Sequence, residues 1–360
     1  MTQAHVQIGR PEPPIAPDNA EGVTAEWLTS AMSRKDPDLV VQAAELLEVI
    51  HGASSKLRMK LETNQQGFDK RVMIKVGYEP HSPDMEFMHL NEMHAYRDLA
   101  PTLSLETPRC YYADTDANGR NLVIIEDLTL RGVTFLSLLK PIGYELACAF
   151  LDGLASMHAR WWASPELEAG GAFDWVPDTA DMETMYERYR NPETFNHYVT
   201  SPRGAAMSTV LHDAARLLKA HAAMREVQAH QPVTVNHGDM HLGNLYTTAE
   251  GRPGFLDWQP RKGPWSIDVS YFIIAGVDVV DRRRWEGALL QHYLTRLRAY
   301  GVAPPSFEEA WLDYRRSVIW GQCIWMTNGA NWQTESSNTA AAARFAQAMV
   351  DLDVFGALGV

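Results

Sequence analysis

The chain has 360 residues, of which 46% are hydrophobic and 21% charged. That is enough apolar surface for two packed units and excludes a disordered tail protein. Acidic residues outnumber basic ones 45 to 32, for a formal net charge of -13, and no long Lys/Arg run offsets them, which argues against a surface that wraps nucleic acid.

Residues 1–23 are rich in Pro and polar groups and read as an arm lying on the surface, with no apolar core of a secretory leader. The three cysteines, Cys110, Cys148 and Cys323, lack the paired spacing of a zinc ribbon or a disulfide framework, so a reducing, cytoplasmic setting is expected. Thr24 caps a predicted helix, and residues 38–47 continue with helix-compatible apolar spacing. From Glu48 the period changes to two. Val49-Ile50, the turn His51-Gly-Ala-Ser-Ser55, and Leu57, Met59 and Leu61 alternating with polar residues predict strand, turn and strand.

After the turn residues Asn64-Gln-Gln-Gly67, the segment Arg71-Val-Met-Ile-Lys-Val76 alternates again, with Val72, Ile74 and Val76 on one face and Met73 with Lys75 on the other. Residues 85–99 read as a helix, and Leu122-Val-Ile-Ile125 as a short buried strand ending in Glu126-Asp-Leu128. Beyond it, helical patterns cover residues 144–162, 182–190, 207–227, 284–300 and 307–327. The apolar run 271–277 is far shorter than the roughly 20 residues that span a bilayer, so no membrane contact is expected. The chain is therefore read as an α+β protein: the arm over 1–23, a strand-rich lobe over 24–127 and a helical lobe over 128–360.

The chemistry concentrates in Val235-Asn-His-Gly-Asp-Met-His-Leu-Gly-Asn-Leu245, followed by Gly254-Phe-Leu-Asp-Trp-Gln259. Two apolar flanks bracket a loop studded with His, Asp and Asn, the usual way a rigid scaffold presents polar groups to a ligand. Asp239, Asn244 and Asp257 offer hard oxygen ligands, which suit magnesium bridging phosphates better than zinc. His237 and His241, four apart, also allow a zinc pair of a metal-dependent hydrolase, but Gly238 and Gly243 oppose the helix such a pair needs and no Glu follows the first His.

The pattern His237-Gly238-Asp239, then Asn244, then Asp257-Trp-Gln resembles the aminoglycoside phosphotransferase and choline kinase superfamily, nearest its ecdysteroid kinase-like branch. The resemblance implies a two-lobed protein-kinase-like fold with an N-terminal antiparallel sheet lobe. It also implies transfer of the γ-phosphoryl group of ATP, with Mg2+, to a hydroxyl of a small molecule. Asp239 then corresponds to the catalytic-loop aspartate, and Asn244 and Asp257 to the metal ligands. Lys75 matches the strand lysine that reaches the phosphates, Glu92 its helix partner, and Met73 a floor for the adenine. Gly52, Ser54 and Ser55 resemble the phosphate-covering turn, and Glu126 and Leu128 the main-chain groups that meet the adenine edge. Asp268 resembles an aspartate that braces the catalytic loop from a later helix.

His-Gly-Asp stands where protein kinases have His-Arg-Asp, and no Asp-Phe-Gly or Ala-Pro-Glu follows, which argues against protein substrates. Arg261 and Lys262 meet either an anionic acceptor or solvent. Ten of the eleven Trp residues lie beyond Arg160 and are expected mainly in the core. A nucleotide-binding protein without turnover is the alternative function, ahead of the hydrolase. The identity of the acceptor and the oligomeric state are not encoded in any motif.

Overall fold

The structure, a computed structural model, describes residues 12–52, 54–178, 183–330 and 332–360. Residues 1–11 of the expected arm, Ala53 of the expected phosphate turn and Met182 of an expected helix lie outside the described residues. The chain divides into two compact units, one running to Thr102 and resuming over Pro108–Arg131, the other formed by Leu103–Thr107 and Gly132–Val360.

The first unit contains α1 (Ala25–Met32), β1 (Val41–Ile50), β2 (Ser55–Thr63), β3 (Arg71–Val76), α2 (Glu86–His94), β4 (Cys110–Thr115) and β5 (Asn121–Glu126). The five strands form an antiparallel sheet in the order β1-β2-β3-β5-β4. Alternation assigns its two faces. Leu57, Met59, Leu61, Val72, Ile74, Val76, Leu122 and Ile124 pack with Leu28, Ala31 and Met32 of α1 into one core. Lys75 points to the opposite face, which α2 covers. Thr24 caps α1, its hydroxyl accepting from the Trp27 amide at 3.2 Å, and residues 12–23 are tied down by a bond from the Ala16 amide to Asp116 Oδ2 at 2.8 Å.

One expectation is corrected here. Residues 38–47 are not helical, because β1 already begins at Val41 and pairs along its length with β2. Its Ala, Glu and Leu content favours helix locally, but sheet pairing overrides that preference. Two register shifts, between Val41 and Ala43 and between Leu46 and Glu48, interrupt the strict alternation that would have disclosed a strand. β4 also went unread.

The second unit opens with β6 (Thr134–Phe135) and α3 (Tyr144–Arg160), then α4 (Glu183–Arg190), α5 (Pro192–Val199), α6 (Pro202–Ala205) and α7 (Ala214–Gln228). The short strands β7 (Thr234–Asn236), β8 (Leu245–Thr247), β9 (Pro253–Phe255) and β10 (Arg261–Gly263) follow. Helices α8 (Ser266–Gly276), α9 (Val279–Ala299), α10 (Phe307–Thr327), α11 (Glu335–Asp351) and α12 (Val354–Leu358) complete it. Here α7 starts seven residues later than its apolar pattern suggests, because Asp213 caps it, accepting from the Arg216 amide at 3.0 Å. Conversely, α9 starts five residues earlier, where Asp278 accepts from the Val280 amide at 2.9 Å. All eleven residues of α8 are buried, and it packs against α10, α11, α3 and α9. No helix among the described residues is long and apolar enough to cross a membrane.

The last carbonyls of α10 have no partners within the helix. They are met from the preceding helices: Arg203 Nη1 donates to the carbonyls of Trp325, Met326 and Asn328 at 3.1, 3.2 and 2.7 Å and Arg188 to Thr327, while the Tyr189 hydroxyl adds a donor to the Cys323 carbonyl one turn earlier. Cations at this end also suit the helix dipole. Trp325 is thereby held where α10 meets α8.

His221 of α7 lies fully buried, stacked on Trp320 of α10 with its Nδ1 against the Tyr186 hydroxyl at 3.0 Å. Burial, aided by the nearby Arg225 cation, pushes its pKa down from 6.5 to about 4. The unfolded chain therefore binds this proton first as pH falls, so the stability contributed above pH 6.5 is lost progressively toward pH 4, by up to roughly 3 kcal/mol. Urea denaturation at pH 7 and pH 4.5 should show that loss, and His221→Phe should narrow the difference between the two.

Candidate active site

In the first unit, Lys75 is the second-to-last residue of β3, opposite Lys56 of β2 and Val123 of β5. Its ammonium is ion-paired with Glu92 Oε1 on α2, and both side chains are buried. Period two makes the lysine point across the sheet, and one helical position on α2 answers it. The pair lines a small recess with Ser54, Val76, His89, Asn121 and Val123. Taking two charges out of water is costly unless they pair, so here burial holds the ammonium in one place.

The turn before β2 is tied to the segment after β3. Ser55 Oγ donates to Glu79 Oε1 at 2.6 Å, His51 Nδ1 meets the same oxygen at 2.8 Å, and His81 Nε2 lies 2.9 Å from the Gly52 carbonyl. Burial opposes ionisation of Glu79, but the hydrogen bonds from Ser55 and His51 outweigh it and lower the pKa. Gly52 has no left-handed φ, and a Cβ built on it would meet nothing closer than the Ser54 carbonyl at 3.7 Å. The fold itself does not demand glycine there.

Met73 lies on the face of Lys75, half-buried. Glu126 is buried and ion-paired with Arg131 at 2.7 Å, its amide donating to the Arg109 carbonyl at 2.9 Å. Leu128 begins a single turn, Leu128–Arg131, started by Asp127, whose Oδ1 accepts from the Thr129 amide at 3.1 Å.

In the second unit, the loop between β7 and β8 is fixed by Asp268, in the first turn of α8 and 1% exposed. Its Oδ2 accepts from the His237 amide at 2.6 Å and its Oδ1 from the Gly238 amide at 3.1 Å. Behind it, His158 of α3 reaches Oδ2 at 3.4 Å and meets the Tyr293 hydroxyl of α9 at 2.7 Å. Gly238 has φ of 85°, and a Cβ there would fall 1.8 Å from the Gln259 carbonyl oxygen. Glycine is obligatory at this position on both counts. It lets the two halves of the motif touch: the Gln259 amide donates to the His237 carbonyl at 3.0 Å, and the Leu256 amide to the Asn244 carbonyl at 3.1 Å. Asp257 is thus delivered beside Asn244, on a backbone with φ of 54° that Asp tolerates better than most residues.

Asp239 projects from this loop. Asn244 Nδ2 donates to its Oδ2 at 2.9 Å and to its carbonyl at 3.0 Å. The Tyr271 hydroxyl, from α8, donates to Oδ1 at 3.2 Å. Burial would raise the Asp239 pKa, but His241, His237 and the Asn244 amide outweigh it and hold the carboxyl below its ordinary value. The side chain keeps 32% exposure, so the carboxylate is ionised and reachable. Tyr271 and His158 were not singled out in the sequence. The available signal was that Asp268 and Tyr271 are three apart, hence on one face of a helix.

Both amide hydrogens of Asn244 are spent on Asp239, so Asn244 Oδ1 is the atom left to face a cation. The backbone bond from Leu256 to Asn244 brings residue 257 to the same loop, and an amide oxygen with a carboxylate is an all-oxygen donor set, which fits magnesium. Among the described residues no group of three or more His, Cys, Asp and Glu could form a metal cage, so such an ion would lean on phosphate oxygens. The two histidines do not form a zinc pair. His237 Nε2 donates to the Leu256 carbonyl at 3.1 Å while its Nδ1 accepts from the Asp239 amide at 3.4 Å, and His241 Nδ1 accepts from the Gly243 amide at 3.0 Å. Arg261 is buried, its Cγ lying 3.6 Å from where a Gly238 Cβ would sit, and Lys262 Nζ donates to the Leu167 carbonyl at 3.3 Å. Trp258 is fully buried, its ring 4.5 Å from that of His237.

The sequence pattern of the ecdysteroid kinase-like family matches residues 51–301, a span that takes in Lys75, Glu92 and the whole loop. The chain belongs to this family. Its fold is also that of solved phosphotransferases. A Ralstonia eutropha protein assigned as an aminoglycoside phosphotransferase superposes with a TM-score of 0.53 at 14% identity, covering 89% of this chain and 97% of the other. The GDP and kanamycin complex of APH(2")-IIIa gives 0.52 at 12%, over 90% and 98%. LicA in complex with AMP gives 0.50 at 11%, over 87% and 94%. No curated protein matches the sequence closely enough to count as a relative. The family thus has a five-stranded N-terminal sheet and a helical C-terminal unit in this member.

Asp268→Asn places an NH2 donor against one of the two backbone amides at full burial. We expect a stability loss of about 3 kcal/mol, read by urea denaturation.

Proposed function

We propose that the chain is a small-molecule kinase that moves the γ-phosphoryl group of ATP to a hydroxyl group. The observation that carries this reading is the state of Asp239: an ionised, partly exposed carboxylate on a braced loop, held by the Asn244 amide. Phosphoryl transfer asks a protein mainly for alignment and for neutralisation of phosphate charge, and the residues present divide that work. Lys75, oriented by Glu92, binds the phosphates. Asn244 and Asp257 would hold Mg2+, which neutralises phosphate charge when bound. Asp239 orients the acceptor hydroxyl and accepts its proton. The turn around Gly52, with Ser54 and Ser55, covers the phosphates, Met73 supports the adenine, and the main chain at Glu126 and Leu128 reads its edge. Solved neighbours bound to GDP and to AMP support a nucleotide site in this fold.

The test is ADP release from Mg-ATP across a panel of hydroxylated small molecules. Asp239→Ala should lower kcat by roughly 10²–10⁴-fold while leaving nucleotide binding within a factor of a few. Equal rates for wild type and variant on a productive acceptor would remove Asp239 from the mechanism. Chelation by EDTA should stop the reaction, and added Mg2+ should restore it.

A second prediction concerns Gly52. A methyl group at this position makes only an ordinary contact with the Ser54 carbonyl at 3.7 Å, so Gly52→Ala should leave the thermal midpoint within a few degrees of wild type. If the backbone there lies against phosphate, KM for ATP should rise severalfold in the same protein.

A further inference from the structure

Counting lone pairs on Asp239 divides the labour between its two oxygens. His241 Nδ1 accepts from the Gly243 amide at 3.0 Å, so in the neutral ring the proton is on Nε2. That nitrogen faces Asp239 Oδ2 at 3.4 Å. Asn244 Nδ2 donates to the same oxygen at 2.9 Å. Oδ2 is thus engaged by the Asn244 amide and faced at ion-pair distance by the His241 ring. Oδ1 has one donor, the Tyr271 hydroxyl at 3.2 Å, and so one lone pair left to accept a proton.

Tyr271 has little freedom to leave. It is 3% exposed, stacked on Trp325 of α10 with centroids 6.3 Å apart and packed on Phe345 of α11 at 5.5 Å. Trp325 also lies edge-on to His241 at 5.3 Å, so one aromatic group supports the side chains that face both oxygens. Burial, then the Asp239 charge, raises the phenol pKa well above its ordinary value, which keeps the hydroxyl a donor.

Resting on the kinase reading above, we propose that Asp239 Oδ1 is the atom that takes the acceptor's proton and that Tyr271 is the positioning residue that presents it. In the step, the acceptor O–H bond breaks and its proton goes to Oδ1. The acceptor oxygen forms a bond to the terminal phosphorus of ATP. The bond from that phosphorus to the bridging oxygen breaks, and its electron pair leaves with ADP. Tyr271 fixes the carboxylate rotamer, so that the remaining lone pair points one way. The acceptor hydroxyl must then approach from the Tyr271 side of the carboxylate and not from the Asn244 side, which separates it from the metal pair.

The experiment compares wild type, Tyr271→Phe and Tyr271→Leu, using Mg-ATP with water, choline and kanamycin as acceptor probes. ADP release reports turnover, and calorimetric titration of Mg-ATP reports nucleotide binding. The Phe variant keeps the ring and loses only the donor. We expect its kcat to fall about tenfold or more on every probe that wild type uses, with KM for ATP and the binding heat unchanged. We expect the Leu variant to lose thermal stability as well. Wild-type turnover in the Phe variant would overturn the assignment, as would a loss appearing in nucleotide binding as much as in kcat, since a merely structural role predicts the latter. A wild-type protein that neither binds Mg-ATP nor releases ADP on any probe overturns the kinase reading itself, and the inference with it.

Discussion

The second unit depends on a single buried carboxylate. Asp268 accepts two consecutive backbone amides, those of His237 and Gly238, and so fixes the direction in which the chain leaves β7. A buried anion without such partners would be severely destabilising, so sequence and geometry are mutually binding. The amides need the carboxylate, the carboxylate needs the amides, and His158 with Tyr293 closes the remaining side. Because α8 is buried on every face, its rotation about its own axis is set by packing and not by surface preference. Asp268 and Tyr271 on this one helix act on the loop from behind and from the side.

The first unit fixes a charge in a different way. A five-stranded sheet with one apolar face against α1 leaves its other face to α2, and Lys75 with Glu92 forms an ion pair there. Buried pairs are poor sources of net stability, and this one occupies a position where a hydrophobic pair would pack at least as well. Its value lies in orientation: a lysine that cannot swing into solvent presents its charge to whatever enters the recess. Both units thus use burial to remove conformational choice from a charged group.

The two-lobed α+β fold and the local shape of the loop were legible in the sequence, and some of the elements around them were not, for physical reasons. The spacing from His237 to Asn244 is local, and the glycine at 238 records a backbone conformation no other residue would fit, so the motif is written in adjacent letters. Lys75 and its sheet face were readable because strict alternation survives through β3. β1 was not, since its register shifts break the period and its residues favour helix. Tyr271 was hidden for another reason. An aromatic residue in a mostly apolar helix is ordinarily core, and only the third-residue relation to Asp268 distinguishes it. The hold of Arg188, Tyr189 and Arg203 on the end of α10 joins segments more than a hundred residues apart, and no local pattern encodes that.

Asp257 has one further implication. Its left-handed backbone restricts the position to the few side chains that tolerate such a conformation, and Asn is among them. A change from Asp to Asn needs a single base substitution and would keep the shape of the turn while deleting its charge. On the kinase reading proposed above, a copy of this gene would lose metal affinity through one base change while its backbone kept the same turn.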